Sequence, residues 1–324
     1  MKKQVDWDWL QRAMELRPET PAGKSGDVEV THEIQSAGTK LPVVSMRNAI
    51  FMGQRPSSVR FDVDVIYRAL VSKAHGTWMT DSAQEVYQCR DAIQAVKRAG
   101  KCNLLIGGLG LGCYSQLAMR MTRANVTTVE RSKDVIKLVG DHIIAAGKPH
   151  HRIVRDCIYK FSKQMAAGEY DVALLDTWQA TGEFCWVKEV IPLRRITRPK
   201  VAQVYCWNEE EMIGQFKMSA HRKMLFDPRE IPGGDAHHRT VSLAARDEGI
   251  IGKGLTRDQL GKDEIHEVFA AEAALSLRPE AREIVDAFAH DVGSPEWERR
   301  FGRHWERAIR IREAGRRKSL QRSA

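Results

Sequence analysis

A chain of 324 residues, 43% hydrophobic and 29% charged, is long enough to bury a full core and is ordinary in composition for a globular protein. No apolar run approaches the ~18–20 residues that span a bilayer, and the opening MKKQVDWDWLQ lacks the apolar centre of an export signal. No membrane association is expected, and a cytoplasmic protein is. The six cysteines (Cys89, Cys102, Cys113, Cys157, Cys185, Cys206) are dispersed without a Cys-x-x-Cys pair, so they read as reduced thiols; neither a disulfide frame nor a metal site is expected. The net charge is +9, and residues 296–324 hold ten Arg/Lys against four Glu, so most of that excess sits at the C-terminus.

In chain order, residues 5–17 read as a short amphipathic helix closed by Pro18 and Pro21. Gly23-Lys24-Ser25 resembles the end of a phosphate-binding loop, but the first glycine that loop needs would fall on Pro18 and no strand precedes it, so a plain loop is expected. Residues 28–34, 41–52 and 59–61 are alternating or β-branched and predict a small β-rich element. Residues 62–74 fit a helix capped by Asp62 or a further strand. Residues 81–99 predict one helix, with Asp81 or Ser82 as cap, Val86, Ile93 and Val96 as its apolar stripe, and Gly100 as its end.

The centre of the chain is KCNLLIGGLGLGCYSQLAMRMTRANVTTVERSKDVI, residues 101–136. It reads as a buried strand at 103–106, a turn carrying Gly107, Gly108, Gly110 and Gly112, a helix, and a second strand at 125–129 ending on Glu130. Glycines let a ligand approach the backbone, a helix N-terminus offers N–H groups, and a carboxylate after the next strand accepts from ribose hydroxyls. The alternation continues through helix 132–146, strand 152–155 before Asp156, helix 158–167, strand 170–175 before Asp176, helix 183–195, strand 200–206 and helix 209–225. That order predicts an α/β, Rossmann-like, doubly wound and mostly parallel sheet, whose carboxyl edge gathers Gly107, Glu130, Asp156 and Asp176. Beyond 226 a loop with one strand at 239–245 gives way to helices at 256–276, 279–291 and 295–315. The expected organisation is a β-rich element at 1–78, a cofactor-binding domain at 79–225 and a basic helical extension at 226–324.

Neither Gly108-x-Gly110 nor Gly110-x-Gly112 finds the third glycine of a dinucleotide fingerprint, because Cys113 and Ser115 occupy those places. The hydrophobic-Gly-Gly-x-Gly-x-Gly pattern instead resembles motif I of class I S-adenosylmethionine-dependent methyltransferases. Glu130, eighteen residues after Gly112, falls at a suitable separation for a ribose-binding carboxylate. VTTVERSKDVI, VRDCIYKF and YDVALLDTW are similar to successive signatures of the spermidine-synthase branch, and Gln84-Glu85-Val86 is similar to a Gln-Glu-Met stretch upstream of motif I there. The resemblance covers roughly residues 80–210. It implies an S-adenosylmethionine cofactor held by Gly108, Gly110, Gly112, Glu130, Asp156 and Cys157. It also implies Asp176 at the reacting centre, with Gln84, Glu85 and Trp178 towards the substrate.

The sequence departs from that branch where the acceptor would bind. Asp176-Thr177-Trp178-Gln179-Ala180 lacks the second Asp and the Pro of the aminopropyltransferase run, and Ala83 stands where those enzymes carry Tyr. A cationic polyamine needs several carboxylates and a base. The expectation is therefore methyl transfer to a small-molecule or other unidentified acceptor, with an aminopropyltransferase and a non-catalytic cofactor- or nucleic-acid-binding protein as alternatives. Trp297, Phe301, Trp305 and Ile309 form one face of the last helix, which reads either as a docking stripe or, with its arginines, as a nucleic-acid contact. A homo-oligomer is compatible with all of these.

Overall fold

Strands of the central sheet run parallel in the order β11-β10-β7-β8-β9, where β7 is Asn103–Gly107, β8 Asn125–Glu130, β9 His151–Arg155, β10 Val172–Leu175 and β11 Gln203–Cys206. The computed structural model describes residues 5–44, 56–73, 76–143, 151–178, 186–214, 292–303, 306 and 310. Leu104–Ile106 and Val172–Leu175 are buried along their whole length, which is the mark of strands covered on both faces. Helices α4 (Cys113–Met121), α5 (Lys133–Val139) and α6 (Ile158–Gln164) connect β7, β8, β9 and β10 in turn. The fold is the expected α/β Rossmann-like sheet. The strand order reverses between β7 and β10, so the carboxyl ends of these two strands flank the crevice where such sheets take ligands.

Ahead of the sheet, α1 (Trp7–Glu15) starts at an Asp6 cap that accepts the Trp9 N–H at 3.1 Å. Strands β1 (Gly23–Ser25), β2 (Val28–Gln35), β5 (Val65–Ser72) and β6 (Gly76–Thr80) form an antiparallel sheet in the order β1-β2-β5-β6, and β3 (Leu41–Val44) pairs β4 (Ser57–Val59). The N-terminal element is β-rich, and the ambiguous stretch at 62–74 holds a strand.

Some expectations need correction. Gly23-Lys24-Ser25 is a strand, drawn into the sheet by pairing Gly23 with Val30, and the Ser25 hydroxyl donates to Asp134 at 2.8 Å. Residues 76–80 form a strand that carries no clear alternation of its own. The helix expected over 81–99 is two, α2 (Ala83–Gln88) and α3 (Arg90–Ala99), separated by a tight turn in which the Cys89 N–H reaches Val86 O at 3.1 Å. The helix expected to run to 146 stops at Val139, and a single narrow turn, Gly140–His142, follows.

The chain divides into two compact units, Met1–Thr181 with Ile196–Glu211 and Gly182–Arg195 with Met212–Ala324. In the second, a wide turn at Trp186–Val190 leads into α7 (Ile191–Thr197), and Ser294 caps the short α8 (Pro295–Trp297). Arg195 holds Glu298 through two bonds of 2.7 and 2.6 Å and lies over the Trp297 ring at 5.3 Å. Trp297 is buried. The strand expected at 239–245, the helices expected at 256–276 and 279–291, and the basic end from 311 lie outside the described residues. No helix among the described residues is long and apolar enough to cross a membrane.

Candidate active site

The loop after β7 is knitted to both neighbouring strands. The Gly108 N–H donates to Val129 O at 2.8 Å, and the Asp176 N–H donates to Gly107 O at 2.8 Å. Gly108 sits at φ +94°, and a Cβ there would overlap the Asp176 carbonyl oxygen, so this position tolerates glycine alone. Gly110, at φ +52°, lies beneath the Met79 thioether, which a Cβ would also strike. The Leu111 N–H donates to Met79 Sδ at 3.2 Å. Gly112 leads directly into α4, its N–H bonded to Leu109 O at 2.8 Å.

Glu130 ends β8 and braces this loop. Its Oε2 accepts the Leu109 N–H at 2.9 Å and its Oε1 the Ser132 N–H at 2.7 Å. A carboxylate offers about four acceptor positions, so two remain for hydroxyl donors of a ligand. Asp156 is turned to the start of α6: its Oδ1 accepts the Cys157 N–H at 2.8 Å and faces Lys160 Nζ at 3.8 Å. Cys157 is exposed.

Asp176 follows β10 and shares a cavity with Glu85 of α2. The lining also includes Met79, Thr80, Gly108, Leu109 and Trp207, and the free volume is about 20 Å³, roughly one water. Asp176 as a residue is partly exposed, but its carboxyl is packed in closely. Burial first, then the charges of Glu85 and Glu130, push its pKa from 3.8 up to about 8. Burial raises Glu85 as well, partly offset by the Thr80 N–H that its Oε2 accepts at 2.8 Å. Burial also pushes up the thiols of Cys89 and Cys113 and the phenol of Tyr114, so these line the cavity as neutral groups.

Of the residues singled out from sequence, the structure brings Gly108, Asp176 and Glu85 to one cavity, with Glu130 one hydrogen bond away through Leu109 and Gly110 lying beneath Met79. Gly112, Gln84, Asp156, Cys157 and Trp178 do not line it. Trp178 is buried, and its indole N–H has no partner among the described residues. Sequence reasoning missed Met79, Thr80 and Trp207. The one available signal for the first two was Gly76 opening a short run of Thr, Trp and Met just before the Ser82 cap. Among the described residues no group of three or more His, Cys, Asp or Glu is arranged to hold a metal ion.

No family model matches the chain, and no curated protein does. Among solved structures it is similar to precorrin 8W decarboxylase of Methanobacterium thermoautotrophicum, at 15% identity over 35% of this chain and 56% of that one, with a TM-score of 0.27. It is similar to TrmN of Thermus thermophilus at 15% identity over 41% and 37%, TM-score 0.29. A third is CrArsM, an arsenic(III) S-adenosylmethionine methyltransferase of Chlamydomonas reinhardtii, at 13% over 31% and 35%, TM-score 0.25. The chain thus spans about half of the first of these and about a third of the others. Likenesses this low carry no functional weight; the fold stands on the chain's own strand order.

Proposed function

We propose that this protein is a transferase that binds S-adenosylmethionine at the loop after β7 and moves its methyl group to an acceptor beside Asp176. The observation that carries the reading is the convergence of the Gly108 turn, the Glu130 brace and a carboxyl with pKa about 8 at the switch point of the sheet. The lining suits a nucleoside without phosphates: a carboxylate with spare acceptor positions beside the loop, and no cation among the residues that line the cavity.

When bound, the cofactor supplies an electrophilic methyl group on a sulfonium. Glu130 holds hydroxyls, and Gly108 lets the ligand lie against the backbone. Asp176, in its ionised form, takes the proton from the acceptor's nucleophilic atom. Since its pKa is about 8, turnover rises with pH until that carboxyl is ionised and then levels off. In-line transfer otherwise needs chiefly alignment, which the rigid ends of β7 and β10 provide.

Calorimetric titration with S-adenosylmethionine, its decarboxylated form and NAD tests the reading. Binding of the first with discrimination against NAD supports it; binding of neither sulfonium compound overturns it.

A further inference from the structure

We infer that Met79 gates the glycine loop, its side chain filling the entrance over Gly110 and swinging aside to admit any ligand larger than water. The inference rests on the nucleoside reading of the site and adds to it the residue that controls access.

Three observations converge. First, the register between β5 and β6 shifts. Leu70 pairs with Met79 while Val71 pairs with Thr77, which leaves Trp78 as the extra residue of a bulge. Bulges re-aim the side chains beside them, and this one sends the Met79 thioether onto the loop, where Sδ accepts the Leu111 N–H at 3.2 Å. Second, the space left is about 20 Å³, whereas small-molecule sites run to ~300–1,000 Å³. Something in the lining moves before a nucleoside enters. Third, the backbone around Met79 is pinned. The Thr80 N–H is held by Glu85, and the buried Asp81 carboxylate is held by Arg68 at 2.9 Å and Arg17 at 3.1 Å.

With the backbone fixed on both the bulge and the Asp81 sides, the side chain is the movable part. Met is suited to this, being unbranched, soft and rich in rotatable bonds. Met79 is only half-buried, so part of its surface already faces solvent. Opening releases the Leu111 N–H, which an acceptor on the incoming ligand then takes over. Closure therefore excludes apolar ligands that cannot replace the sulfur. It also weakens apparent affinity by the fraction of time the gate is open.

The test compares wild type, Met79→Ala and Met79→Ile by calorimetric titration with S-adenosylhomocysteine and by amide hydrogen exchange without ligand. Met79→Ala is expected to bind at least fivefold tighter. Met79→Ile, stiff at its branched Cβ and lacking the sulfur, is expected to bind at least fivefold weaker than wild type. Without ligand, Leu111 in Met79→Ala is expected to exchange at least tenfold faster while Leu109, bonded to Glu130, is unchanged. Equal affinity of wild type and Met79→Ala overturns the gate and leaves the nucleoside reading standing. If neither protein binds the nucleoside, that reading falls and the gate falls with it; an unchanged Leu111 in Met79→Ala overturns the closed position of the sulfur whatever the binding result.

Discussion

Glu130 accepts the Leu109 N–H at 2.9 Å and the Ser132 N–H at 2.7 Å, so one carboxylate ties the loop after β7 to the start of α5. Glu130→Ala removes both acceptors. Leaving partly buried donors without partners costs ~1–3 kcal/mol in total, and Glu130→Gln, which keeps one acceptor oxygen, is expected to lie between Ala and wild type. Urea denaturation reads this directly, and an unchanged midpoint for Glu130→Ala contradicts it. Leu109 should also exchange its amide proton faster in that variant.

Asp176 makes stability depend on pH with a definite sign. Its pKa is raised from 3.8 to about 8 in the folded protein, so the native state keeps a proton that the unfolded chain releases. Its contribution is fully present below pH about 4 and is lost as pH rises towards 8. The slope is at most about 1.4 kcal/mol per pH unit, levelling above 8. Asp176→Asn has no such slope. Urea midpoints of the two proteins at pH 5 to 8 should diverge in favour of the Asn variant as pH rises; parallel curves would refute the assignment.

Two glycines with similar backbone angles should respond differently to alanine. Gly108 (φ +94°) has the Asp176 carbonyl where a Cβ would go, whereas Gly168 (φ +75°) has nothing within 4 Å. Gly168→Ala carries only the left-handed penalty of ~1–2 kcal/mol. Gly108→Ala adds displacement of the loop or of the Asp176 backbone, and it should cost at least ~2 kcal/mol more. Thermal midpoints that fall equally would show that the loop has slack at Gly108.

Asp81 is buried between Arg17 and Arg68, and its Oδ1 also accepts the Arg68 N–H at 2.6 Å. Removing the carboxylate leaves two guanidinium groups without their shared partner in a low-dielectric setting. Asp81→Ala is expected to destabilise by ~3–5 kcal/mol. A loss below ~1 kcal/mol would mean that the arginines find water instead.

The parallel sheet was legible in sequence because its signals are local: Leu104–Ile106 form a continuous apolar run, glycines follow, and α4 begins at once. Glu130 and Asp176 could be placed because the first ends its strand and the second directly follows its own. Strand β6 was not legible, since Gly76–Thr80 shows no alternation and becomes a strand only by pairing with β5. The same holds for Gly23–Ser25, three residues defined by their partners in β2. Met79 was hidden for a further reason. Its placement over Gly110 depends on a register shift, and no pattern within five residues announces one. The pKa of Asp176 likewise arises from burial and from carboxylates on other elements.

The most direct test of the central claim is an NMR titration with S-adenosylhomocysteine, following the backbone amides of Gly108, Leu109, Leu111 and Ser132. A nucleoside seated on the loop and braced by Glu130 should shift these four together, saturably and with one ligand per chain. Saturable shifts located elsewhere, or none at these amides at ligand excess, would contradict it.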